Sequence, residues 1–116
     1  MIKTDSRLLS LIGLARAAGK ASAGSVAVSE ALKKKKAVMV LLAARSSENA
    51  QKEYIAAASR LGISCLILDT DQLGEAVGKP ACIAVSINDA GFADAINKRI
   101  NTCLLYTSDA ADDRIS

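Results

Sequence analysis

Residues 37–44 read Ala37-Val38-Met39-Val40-Leu41-Leu42-Ala43-Ala44, an uninterrupted apolar run without glycine, proline or charge. Eight residues fall far short of the ~20 that a membrane-spanning helix needs. Three of the first four carry β-branched or long side chains, so the run reads as a strand covered on both faces. A strand buried on both sides requires helices above and below it, and that requirement governs the reading of everything around it.

Downstream of the run, Ser46 or Ser47 opens a helix whose Ala50, Tyr54, Ala57, Ala58 and Leu61 share one side. Gly62 suits the left-handed position that ends it. The alternation then repeats. Residues 63–68 read as a second strand, and Asp69 or Thr70 caps a short helix carrying Leu73, Ala76 and Val77. Gly78 and Pro80 stop that helix, residues 81–87 read as a third strand, and Asn88 or Asp89 caps a last helix with Phe92, Ala95 and Ile96 inward. Upstream, Leu8, Leu11, Ile12 and Ala15 recur at helical spacing behind Thr4 or Asp5, and this helix ends near Gly19. Ser22 is read as the cap of a second helix with Val28, Ala31 and Leu32 inward; a short strand near residues 20–22 is the other reading of that stretch. The whole predicts a three-layer α/β/α sandwich in one domain, residues 1–100.

Residues 101–116 do not continue the pattern and are read as an irregular tail. They resemble translated adapter-derived ends, with a native disordered terminus as the alternative, and are set aside from the functional reading.

The chain has 116 residues, with 51% apolar and 23% charged residues. That length buries enough surface for a self-sufficient core. Fifteen basic against twelve acidic groups give a net charge of +3, but the charge is unevenly placed. Residues 1–60 carry +7 and residues 61–116 carry −4. Such asymmetry points to a polyanion meeting the first half. The densest patch is Lys33-Lys34-Lys35-Lys36, where a helix C-terminus favours cations and phosphate would favour them too.

Several chemistries are disfavoured. The chain has no histidine, which removes the commonest general base and metal ligand. Cys65, Cys82 and Cys103 are widely spaced with no Cys-x-x-Cys pair, and Cys65 and Cys82 read as buried small hydrophobes in a reducing cytoplasm. Gly13, Gly19 and Gly24 match neither the Walker nor the dinucleotide fingerprint. Carboxylate pairs such as Asp69 with Asp71 sit where helix caps want acids. Neither an enzyme nor a metal or cofactor site is expected. Only Tyr54, Phe92 and Tyr106 are aromatic, too few for stacking many unpaired bases. The N-terminus has no secretory pattern, and the expected location is the cytoplasm, without a membrane partner.

The segment Gly19-Lys20-Ala21-Ser22-Ala23-Gly24-Ser25 is a small-residue turn leading into a helix N-terminus. Free amides there suit a phosphate or a base edge, and Gly24 lets a backbone approach closely.

Four stretches carry a family resemblance. They are residues 11–20 with Gly24, residues 40–49, residues 73–79 and residues 83–93, all in order. Over about residues 6–98 the chain resembles bacterial YlxQ-like proteins of the kink-turn-binding ribosomal protein superfamily. The resemblance implies the same sandwich around a central mixed four-stranded sheet. It also implies a small cytoplasmic RNA-binding protein, monomeric, associated with ribosomal RNA or ribosomal proteins. In that family the segment beginning at the residue matching Gly24 meets the kink-turn, and the loop after Leu73-Gly74 also touches RNA. Archaeal members place an asparagine, a glutamate and a basic residue where this chain has Val26, Ala27 and Glu30. The hydrogen-bonding side chains of base readout are therefore missing at these positions.

The RNA-contact residues expected from these readings are Lys20, Gly24, Ser25, Lys33, Lys34, Arg45 and Lys79, acting through shape and phosphate contacts. Lys33 and Lys34 are preferred within the run because Lys36 borders the strand. The alternative reading is a protein-interaction or ribosome-assembly module that has lost specific kink-turn recognition.

Overall fold

The computed structural model describes residues 2–108, with side chains described through residue 100. The elements run α1 (Ser6–Ala17), β1 (Ala21–Ala23), α2 (Ser25–Lys33), β2 (Met39–Leu42), α3 (Glu48–Leu61), β3 (Ser64–Ile67), α4 (Leu73–Ala76), β4 (Ala84–Ile87) and α5 (Ala90–Ser108).

The four strands form one sheet in the order β1-β4-β2-β3. β2 pairs parallel with β3 and antiparallel with β4, and β1 pairs antiparallel with β4, so the sheet is mixed. The apolar run at residues 37–44 supplies β2, the strand between β4 and β3, and every residue of that strand is buried. Alternation along β2 divides the core. Met39 and Leu41 meet Leu8 and Ile12 of α1, Leu73 of α4 and Ile96 of α5. Val40 and Leu42 face the other way, with Val28 and Leu32 of α2 and Tyr54 of α3. These are the two helical layers of the expected sandwich.

The helix ends follow local chemistry. The Asp5 carboxylate accepts from Leu8 N at 2.8 Å and caps α1. The same carboxylate is clasped by Arg99, whose Nε lies 3.1 Å away, tying α1 to α5. Ser47 Oγ caps α3 by accepting from Ala50 N, and Gly62 closes it at φ 71°. Asp89 accepts from Phe92 N at 3.0 Å at the start of α5.

Three boundaries differ from expectation. Ser22 does not cap a helix: it lies in β1, paired with Ser86 of β4, and Gly24 is the N-cap of α2. A three-residue strand has no periodicity to read and exists because β4 offers an open edge. Neither Asp69 nor Thr70 caps α4, whose N-cap is Gln72. The Asp69 carboxylate accepts from Thr4 N instead, and Thr70 Oγ1 accepts from Gln72 N. Finally, α5 runs on to Ser108, so residues 101–108 are helical where an irregular tail was expected. No glycine or proline occurs between Phe92 and Ser108 to stop it. Residues 109–116 lie outside the described residues.

Candidate nucleic-acid interface

α1 ends in a turn at Gly19, whose φ is 75°. Lys20 N is tied back to Ala15 O, and Lys20 O accepts from Asn88 N at 2.7 Å, which docks the turn against the end of β4. β1 then runs along β4, and Gly24 N donates to Ala84 O as the last bond of that pairing.

Gly24 turns the chain from strand into helix with φ 95° and ψ 157°. This region of backbone space is open essentially to glycine alone. A Cβ built there would touch nothing within 4 Å, so conformation and not crowding demands the glycine. With no side chain, Gly24 provides no hydrogen bond to cap the first turn of α2. The positive end of the helix dipole therefore faces the space beside it.

That space is an open cleft of about 870 Å³. The turn at Gly19 and Lys20, strand β1, Gly24, the first turn of α2 and Asn88 line it. Lys20, the pair Lys34 and Lys36, and Lys79 contribute four cationic side chains from three places in the chain. Glu30 is the acidic side chain among the lining residues. It pairs with Lys34 at 3.0 Å, and the hydrogen bond from Lys34, reinforced by that charge, holds its carboxyl below the usual 4.5. The cleft is positive even with Glu30 ionised.

The floor is polar. Ser86, fully buried in β4, donates through Oγ to Asn88 Oδ1 at 3.0 Å. Asn88 Nδ2 donates in turn to Ser22 Oγ at 2.9 Å. The network leaves an Asn88 N–H and the Ser22 hydroxyl proton for a bound group. At the mouth stands Val26, 79% exposed.

Of the expected contact residues, Lys20, Gly24, Ser25, Lys34 and Lys79 meet in this cleft. Lys33 lies beside it, lining a smaller depression with Ser25, Val26, Ser29 and Glu30. Lys36, passed over for its nearness to the strand, is in the cleft. Lys35 explains this, with a left-handed φ of 59°. Lys35 N donates to Leu32 O and Lys36 N to Ala31 O, which closes α2 and folds Lys36 back against it. Arg45 is not among the cleft residues. Its guanidinium donates to Pro80 O at 2.7 Å, behind the turn that carries Lys79. Neither Ser22 nor Asn88 is among the contact residues expected from the sequence, where Asn88 reads as a helix cap and Ser22 as a cap or part of a short strand. Ser22 is the middle residue of β1, opposite Ser86, and Asn88 follows β4 directly, so only the strand register brings the three polar side chains together.

Among the described residues no cluster of His, Cys, Asp or Glu could hold a metal ion. No described helix is long and apolar enough to cross a membrane. Cys82 is buried as expected, whereas Cys65 is only half-buried and burial pushes its thiol up from 9.0 to about 11. The side chain of Cys103 lies outside the described residues.

No curated protein matches the chain. A solved structure of a protein with unknown function from Bacillus halodurans C is similar with a TM-score of 0.76 at 26% identity, covering 84% of this chain and 99% of that one. A Giardia lamblia 15.5kD RNA binding protein has the same fold, with a TM-score of 0.66 at 16% identity over 85% of this chain and 89% of its own. The sequence model of the Ribosomal protein L7Ae/L30e/S12e/Gadd45 family matches residues 6–97. Across nearly the whole described domain, then, the chain belongs to that family, whose members are RNA-binding structural proteins and not enzymes.

Proposed function

We propose that this chain binds structured RNA in the cleft headed by Gly24, gripping backbone phosphates with Lys20, Lys34, Lys36 and Lys79. One observation carries the reading: the uncapped first turn of α2 and four lysines from three separate segments converge on one concave surface. Amides at a helix N-terminus and ammonium groups both favour phosphate oxygens. The low aromatic content fits a folded RNA held by shape more than by stacking. The Giardia lamblia relative, itself an RNA binding protein, points the same way.

A kink-turn is the preferred RNA, since a sharply bent backbone presents closely spaced phosphates to a concave basic surface. The four sequence motifs support assignment to the bacterial YlxQ-like branch, with ribosomal RNA as the natural partner class and the cytoplasm as the place of action. With Val26 and Ala27 at the helix start, base reading passes to the polar floor or is given up, and phosphate contacts dominate.

The test is a fluorescence titration of a kink-turn RNA and of a same-length duplex at several salt concentrations. The expected result is preference for the kink-turn, with log Kd rising by about 3 per decade of salt if three to four phosphates are neutralised. Lys34→Glu with Lys36→Glu should weaken binding to all RNAs. Equal, weak binding to both RNAs would favour the second reading, a ribosome-assembly or protein-interaction module. The observation behind that reading is Val26, an apolar side chain held 79% exposed at the mouth of the cleft.

A further inference from the structure

We propose that Arg45 is a positioning residue, which fixes the turn carrying Lys79 at the rim of the cleft instead of binding phosphate itself. The inference rests on the RNA-binding reading and reassigns one of its residues.

Arg45 follows β2, and its neighbours strap two loops together. Ala43 N donates to Ile83 O at 2.9 Å and Ala44 N to Thr70 O at 3.0 Å. Arg45 N donates to the Asp71 carboxylate at 2.7 Å. With its backbone anchored in this way, the side chain reaches Pro80 O at 2.7 Å. Proline has no N–H, so this carbonyl is the one polar group Pro80 offers. A guanidinium presents its N–H groups in a fixed plane, which suits it to holding a carbonyl at the end of a long reach.

Lys79 is the residue held. Its N–H donates to Gly74 O at 2.8 Å and its carbonyl accepts from Cys82 N at 2.9 Å. These bonds shape the turn against α4, and Arg45 ties its next residue to the end of β2. Lys79 lines the cleft whereas Arg45 does not. The two cations thus divide the work: Lys79 meets the ligand, and Arg45 limits where Lys79 can be.

Two measurements on the full chain test this. The first titrates a kink-turn RNA across salt concentrations with Arg45→Ala, Lys79→Ala and the double variant. Lys79→Ala should reduce the salt slope by about one. Arg45→Ala should weaken binding about fivefold, the scale of one lost hydrogen bond, and leave the slope unchanged. The double variant should bind no more weakly than Lys79→Ala alone, because a brace has no effect once the braced group is gone. A slope reduced by Arg45→Ala, with losses that multiply in the double variant, would make Arg45 a phosphate ligand and overturn the proposal.

The second measurement needs no RNA. Hydrogen exchange at the Cys82 amide, which reports closure of the turn, should quicken in Arg45→Ala while the β2 amides stay protected. Unchanged exchange at Cys82 overturns the brace. If the wild-type chain binds neither kink-turn nor duplex, the RNA reading fails, and the exchange result still decides whether Arg45 holds the turn.

Discussion

Gly24, at the start of α2, and Gly74, inside α4, sit in regions that use glycine for opposite reasons. At Gly24 the backbone is in a conformation other residues avoid, and the space beside it is empty. At Gly74 the helix is ordinary and the space is full: a Cβ would strike Lys79 O and approach Pro80 O to 2.8 Å. The first glycine keeps a surface clear, and the second lets two pieces of backbone touch. The two regions nevertheless serve one site, since the turn packed on Gly74 delivers Lys79 to the cleft that Gly24 opens. A positive φ beside empty space marks a glycine chosen for its backbone conformation, and a glycine facing carbonyls marks one chosen for packing.

Substitution separates the two. Gly74→Ala should have the largest effect, because the obstructing atoms are backbone and cannot move aside. A loss of about 3 kcal/mol is expected, at the upper end for overpacking, and a urea melt would show it. Residual folded protein should have a displaced Lys79 turn. Gly24→Ala meets no obstruction and suffers only conformational strain, about 1–2 kcal/mol. Its melt should shift less than that of Gly74→Ala, yet its RNA affinity should fall more than its stability explains. Equal stability losses for the two would break the comparison.

The half-buried thiol at Cys65 gives a smaller effect, dependent on pH. Its folded value of about 11 lies above the ordinary 9.0, because burial disfavours the thiolate. The unfolded chain loses this proton first, so stability is fully present below pH 9 and declines as pH rises towards 11. Burial, and secondarily Glu53, raises the Tyr54 hydroxyl in the same sense. Cys65→Val should flatten the decline seen in thermal melts between pH 9 and 11, and an unchanged pH profile would refute the assignment.

The smallest expected effect sharpens the comparison from a third position. Lys35 holds a left-handed φ of 59° where most helices place glycine. Lys35→Gly should stabilise the fold by about 0.5 kcal/mol, because the left-handed penalty outweighs the added freedom of the unfolded chain. A small rise in melting temperature would show it. RNA affinity should hardly change, because Lys35 is not among the cleft residues.

Much of this molecule was legible in its sequence, but unevenly. The core strand β2, the caps of α1, α3 and α5 to within one residue, and the stop at Gly62 follow from patterns a few residues long. So does the division into two helical layers, since strict alternation leaves Met39 and Leu41 on one face and Val40 and Leu42 on the other. Of the expected contact residues, Lys20, Gly24, Ser25, Lys34 and Lys79 share the cleft, but the spacing of a lysine run could not say which of its members face it. Lys33 and Lys36 exchanged places in the ranking because one left-handed residue reverses the chain between helix and strand.

Hydrophobic periodicity and capping chemistry by themselves determined the kinds of element other than β1, their order and the side each buries. These are local matters, fixed by which atoms leave water and which amides find partners within a turn. Tertiary structure alone decided that Ser22 belongs to a strand, that Asn88 forms a cleft floor and that Arg45 turns towards Pro80. Each of these depends on a partner more than thirty residues away, supplied only when the β4 edge and the end of β2 are in place.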